Sequence, residues 1–196
     1  MREDGWEFGL HASISAGRVP GEFEAEKALL ESIVHAPVKG VRHHYLAFGG
    51  VNASSTFRKQ FEADFLYDSS VGWRDVCGFR AGTAFPYFPF DSDRRERLEI
   101  LEIPLTIMDC HLMCYPREKA LKVAQEVIEE LKTVGGLLVL NWHTESFCNR
   151  WRFEGYVDLF DQILRPLLCD SDAWFATPLE VAKWWKNRAS RISAVG

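Results

Sequence analysis

One feature constrains this chain more than any other: short apolar, strand-like runs alternate with amphipathic stretches of helical spacing. Runs of that kind, bounded by turn signals, read as buried strands, and their alternation with helices argues for βα units around a largely parallel sheet. Strands are expected over residues 7–13, 38–48, 65–68, 98–108, 137–143 and 174–176, and helices over 21–34, 54–63, 117–134, 156–168 and 179–190. The clearest helix carries Ala120, Val123, Ala124, Val127, Leu131 and Val134 at helical spacing, and Gly135-Gly136 stops it. The last one starts with Thr177 as N-cap, Pro178 in the first turn and Glu180 at the capping-box position. Residues 71–93 are rich in Gly, Pro and aromatics and too long for an ordinary connection, as functional loops often are.

At 196 residues the chain is the size of one ordinary domain, so a single core over residues 1–196 is expected. A net charge of −5 with no basic stripe argues against nucleic acid as the main partner. No run reaches the roughly 18 apolar residues of a membrane span, and MREDGWEFG has no signal-peptide character. The default compartment is then the cytoplasm. Five cysteines (Cys77, Cys110, Cys114, Cys148 and Cys169) are odd in number and hold no C-x-x-C pair, so they are expected to be reduced and mostly buried. Seven Trp and fourteen Phe exceed what a core of this size needs, and a surplus of aromatics also suits stacking on sugar rings.

In βα architectures, ligands and chemistry gather at the carboxyl ends of the strands. Those ends carry His11 and Ser13; Arg42, His43, His44 and Tyr45; Asp68, Ser69 and Ser70; Asp109, near His111; and Asn141, Trp142 and His143. Every histidine except His35 lies near such an end. A lone His11 reads as a metal ligand or as a core histidine held by one hydrogen bond. Arg42, a permanent cation on a buried strand, needs an anionic partner, either structural or catalytic. His143 follows LLVLNW, and an imidazole there suits acid–base work near neutral pH. Asp68 followed by two serines orients a histidine or simply makes a turn.

Taken in order, EFGLHASIS, EKALLE, GVRHHYLAF, FLYDSSVGW, GFRAGTAFPYFPFD, LEILEIPLTIMD, LLVLNWHTESF and WFATPLEVAKWW resemble the polysaccharide deacetylase (NodB-homology) family of carbohydrate esterases. The likeness is to a branch linked to bacterial surface-polysaccharide biosynthesis. It implies an α/β fold, a distorted (β/α) barrel, a divalent metal (usually zinc), a carbohydrate substrate, and hydrolysis of N-acetyl groups from amino sugars of a polysaccharide or its precursor. By the same resemblance His11 is the first histidine of a metal motif whose second member falls on Ser15, leaving His43 or His44 to substitute. Arg42 matches the arginine that pairs with a catalytic aspartate. Asp68, with Asp75 as the alternative, matches the group that orients the catalytic histidine. Trp73 matches the wall of the acetyl pocket, Leu140 a pocket residue and His143 the general acid. Tyr45 and Trp142, at the same strand ends, are expected to bind substrate. The family's first strand, with its two neighbouring acids, has no counterpart before His11, so the barrel is expected to lack that strand and the chain to be impaired as a catalyst. A non-catalytic carbohydrate-binding protein on the same fold is the alternative.

Overall fold

A computed structural model describes residues 5–49 and 53–193 and resolves two compact units. The first comprises Met1–Val71, Pro86–Ile103 and Ala176–Gly196; the second comprises Gly72–Phe85 and Pro104–Phe175.

The first unit is built on a four-stranded, all-parallel sheet of β1 (Leu10–Ala12), β2 (Gly40–His43), β3 (Tyr67–Asp68) and, after the hairpin strands β4 (Phe90–Asp91) and β5 (Glu96–Arg97), β6 (Leu101–Glu102). Helices α1 (Glu22–Val34) and α2 (Ala53–Glu62) supply the crossovers that parallel pairing requires. The core of this unit joins Leu10, Ala12, Val41, Phe23, Phe57, Phe65 and Ile100. Burial also takes in polar groups with full accounts: the Lys27 ammonium donates to the carbonyls of Ala63 and Asp64 at 2.8 and 2.9 Å. Glu7 ties the last helix of the chain to the sheet, accepting from the Tyr67 hydroxyl at 2.8 Å and from the Leu179 amide at 2.9 Å. Gly40 is needed where it stands, because a Cβ there would lie 2.0 Å from the Tyr67 ring.

In the second unit, β7 (Ile107–Met108) runs straight into the short helix α3 (Asp109–Leu112). The long helix α4 (Arg117–Val134) then leads to β8 (Leu140–Asn141), which pairs parallel with β7. Two 3₁₀ turns, Thr144–Cys148 and Trp151–Phe153, precede α5 (Tyr156–Leu168), which packs on α4. Ile107, Leu112, Ala120, Ala124, Ile128, Leu159 and Ile163 form the core of this unit. The last helix of the described residues, α6 (Pro178–Ser193), belongs to the first unit.

Helices match expectation closely, whereas the strands are shorter. Residues 98–108 do not form one strand: Pro104, which has no amide to donate, separates β6 from β7. The stretch 38–48 leaves the sheet after His43, where a 3₁₀ turn begins and Tyr45 and Leu46 take left-handed φ of 55° and 52°. Residues 7–13, 65–68 and 137–143 contribute only three, two and two ladder residues, and 174–176 joins no ladder. Among the described residues the strands form three sheets, of four, two and two strands. The cysteines are all free thiols, but four are exposed and Cys77 is half-buried, which corrects the expectation of burial. No helix of the described residues is long and apolar enough to cross a membrane.

Candidate active site

In the second unit β7 and β8 lie in register, Ile107 against Leu140 and Met108 against Asn141. The residues that follow the two strands are therefore brought side by side at one sheet end: Asp109 and Cys110 after β7, Trp142 and His143 after β8. Asp109 is fully buried and accepts four hydrogen bonds. Its Oδ1 takes the Cys110 amide at 2.8 Å and meets His143 Nδ1 at 2.7 Å. Its Oδ2 takes the His143 amide at 2.8 Å and the Ser146 hydroxyl. Burial alone would raise this carboxyl. The bonds from Ser146 and from the ring and amide of His143 outweigh it and hold Asp109 below the ordinary carboxylate value. The His143 side chain is 41% exposed. With Nδ1 and the amide both fixed by one carboxylate, Nε2 is the nitrogen left to meet a ligand. A buried anion, an oriented imidazole and an open second nitrogen are the parts of a proton-transfer device.

Other groups of this unit are structural. His111 is buried between the Met108 amide, which donates to Nδ1 at 3.2 Å, and the Trp73 carbonyl, which Nε2 meets at 2.8 Å. Burial lowers its pKa, against the Trp73 carbonyl, so it is a neutral core histidine. Trp73 itself is 44% exposed, with the Arg80 guanidinium 5.7 Å from its ring centre. Trp142 packs on Phe160 and Tyr156 with ring centres 5.1 and 6.0 Å apart, and Leu140 joins the same cluster. Both sit largely in packing.

In the first unit, β1 and β2 place His11 beside Arg42. His11 Nε2 lies 3.0 Å from His44 Nδ1, with the two exposed rings edge to face. His43 points the other way. It is wholly buried between Phe23 and Phe48, bonded to Gln60, and its pKa is lowered by burial. Tyr45 is 60% exposed and lies against His44, ring centres 4.3 Å apart. Ser15, at the position of the second histidine of the metal motif, donates to Glu22 of α1 at 2.8 Å. The imidazole pair thus offers two nitrogen donors. Among the described residues no third His, Cys, Asp or Glu completes a metal set with them; the set of three that does occur is Asp109, Cys110 and His143.

Arg42 donates through Nε and Nη2 to the carbonyl and hydroxyl of Ser69, both at 2.8 Å. Burial pulls its guanidinium down from its ordinary value, with Asp68 the largest opposing charge. Asp68 is buried and accepts from the Ser70 amide at 2.8 Å, the Ser70 hydroxyl at 2.7 Å and Gln60 at 2.8 Å. Glu102 is fully buried beside it; burial first, and then Asp68, raise its carboxyl well above the ordinary range. Its Oε2 has no hydrogen-bond partner among the described residues. The carboxylate that holds His143 is Asp109, not Asp68, and Asp75 is exposed. Asp109 stood at the end of an apolar run, which was its one sequence signal.

No family model and no curated protein matches the sequence. Two solved structures match in fold. A Mycobacterium smegmatis protein assigned to the polysaccharide deacetylases aligns with a TM-score of 0.62 at 16% identity, covering 86% of this chain and 56% of that one. A Pseudomonas aeruginosa protein, likewise assigned, aligns at 0.66 and 18% identity, covering 95% of this chain and 61% of the other. At such identities the likeness is one of α/β fold, and this chain spans between half and two thirds of the length of either relative.

Proposed function

We propose that this chain is a deacetylase-type hydrolase that cleaves the amide of N-acetylated amino sugars, with His143 as the acid that protonates the departing amine. The observation that carries this reading is the double grip of Asp109 on His143, through amide and ring together, on a fold shared with two proteins assigned to the polysaccharide deacetylases. In amide hydrolysis the C–N bond breaks only as the nitrogen gains a proton. An imidazole whose Nδ1–H is held by an ionised carboxylate can carry that proton on Nε2, with the resulting imidazolium compensated by Asp109. Trp73, exposed beside Arg80, suits an apolar sugar or acetyl face; Leu140, Trp142 and Tyr45 are proposed as further substrate-binding residues. Arg42 and Asp68 are assigned to holding charge in the first unit.

A divalent metal, zinc first, belongs to this reading, and when bound it would polarise the acetyl carbonyl and activate water. His11 and His44 are the residues proposed for it. They supply two of the donors that such an ion takes. The test is acetate release from N-acetylated oligosaccharides, with and without added zinc. Turnover that falls by about 10² or more in His143→Ala supports the acid role. Turnover unaffected by that substitution overturns it, and sugar binding with no release from any form would favour a lectin-like protein.

A further inference from the structure

The set of three metal-capable donors among the described residues does not include the expected histidine pair. Asp109, Cys110 and His143 each offer one ligand atom, and all three atoms fall within 4.8 Å of one another. We propose that these residues form a binding site for a thiophilic divalent cation, Zn²⁺ by its donor set, and that occupancy withdraws His143 from acid–base work. The second half rests on the function proposed above; the first half does not.

The donor types select the ion. A carboxylate oxygen, an imidazole nitrogen and a thiolate sulfur suit zinc or cobalt, whereas Mg²⁺ and Ca²⁺ take oxygen ligands. The geometry needs little change. With bonds of about 2.0–2.3 Å in a tetrahedron, neighbouring donors sit roughly 3.3–3.6 Å apart. His143 Nδ1 is now 2.7 Å from Asp109 Oδ1 and 3.9 Å from Cys110 Sγ, so one spacing must open and the other close, each by less than about 1 Å. Asp109 is anchored by Ser146 and the Cys110 amide, so the carboxylate stays aimed while the His143 ring and the Cys110 thiol adjust. Cys110 is exposed, which gives an ion a way in, and three protein ligands leave the fourth position to water.

The protons balance. Cys110 gives its thiol proton to solvent as the S–metal bond forms. The imidazole exchanges its Nδ1 proton for the metal and takes one on Nε2, a tautomer change with no net release. Asp109 trades the Nδ1–H bond for the ion. One proton is released per ion, and a metal-bound ring that keeps its Nε2 proton no longer cycles as an acid.

The probe is Co²⁺ added to the full chain after chelator treatment. One equivalent is expected to give a near-ultraviolet sulfur-to-cobalt charge-transfer band, release one proton, and be displaced by Zn²⁺. Cys110→Ser, its fold checked by circular dichroism, should lose that band and bind at least about tenfold more weakly, while His11→Ala keeps both. Absence of the band, its survival in Cys110→Ser, or its loss in His11→Ala overturns the site. If the chain releases acetate, Zn²⁺ should inhibit the wild type at concentrations at least about tenfold below those that inhibit Cys110→Ser; equal sensitivity overturns the inhibitory role and leaves the binding result standing. Absence of turnover would count against the function proposed above, and the cobalt titration would still decide the site.

Discussion

Asp109→Asn tests the core of the site with almost no change of shape. The carboxylate accepts four hydrogen bonds, two on each oxygen. An amide must turn its NH₂ toward one pair. Facing the Oδ2 side, it opposes the His143 amide, a donor that cannot reverse; facing the Oδ1 side, it opposes the Cys110 amide, and a ring accepting on Nδ1 would hold its proton on Nε2. Either way one buried backbone N–H loses its acceptor. Losing a hydrogen bond to a charged group costs about 1.5–3 kcal/mol and leaving a donor unpaired about 1–3; with the remaining bonds kept, a net loss of about 2–4 kcal/mol follows. For a chain of this length that is a fall in Tm of about 4–16 °C. Acetate release, where measurable, should fall by about 10²–10⁴ from the misdirected imidazole. A pH arm sharpens the test. Because the folded Asp109 value lies below the ordinary 3.8, its stabilisation is present above 3.8 and is lost as pH falls through the folded value. The gap in urea midpoint between wild type and Asp109→Asn should therefore narrow below about pH 4. An unchanged Tm together with a gap that ignores pH would refute the reasoning.

Two buried histidines give a second pH signature. Burial lowers both His43 and His111 in the folded state, so below the ordinary 6.5 the unfolded chain takes up protons that the native one refuses. Stability should fall as pH drops from about 6.5, by at most about 1.4 kcal/mol per pH unit for each ring, read as urea midpoints between pH 7.5 and 5. In the acid pair, Glu102→Gln keeps an acceptor for the Val71 amide and should be near neutral in acid. Because the native carboxyl holds its proton above the ordinary 4.5, wild-type stability from this group fades as pH rises through the folded value; the variant lacks that fade and gains on the wild type toward pH 8. Arg42→Met instead leaves Asp68 without its cation and should cost about 3–5 kcal/mol, measured by urea unfolding.

Sequence made the helices legible because their signals are local. Residues 117–134 and 156–168 were read end to end as α4 and α5. Gly135, at φ 63°, closes α4, with the Gly136 amide returning to the Leu131 carbonyl. Thr177 and Glu180 exchange the reciprocal bonds of a capping box at the start of α6. Strand ends were harder: an apolar run does not say where pairing stops, and the left-handed turn at Tyr45 lies inside such a run. For the site, the sequence placed His11, His44 and His143 at strand ends but could not divide His43 from His44. That division rests on which ring the pleat turns toward Phe23 and Phe48.

The partner of His143 was out of reach for a deeper reason. Asp109 and His143 stand 34 residues apart and meet only because β7 and β8 pair in one particular register. The ladder is just two residues long, so it is weakly specified by itself. Thr106 strengthens it: its amide donates to the Val139 carbonyl at 3.2 Å, and its hydroxyl accepts from the Val139 amide at 3.3 Å while reaching the Leu137 carbonyl at 3.5 Å. These contacts fix where β8 enters, and Ile107 and Leu140, both in the core of the second unit, fix which face turns inward. A slip by one residue would reverse every side chain of β8 and carry the His143 amide away from Asp109 Oδ2. Thr106 thus decides whether a buried carboxylate and an imidazole become one device, although it has no place in the chemistry and no signature that a motif could record.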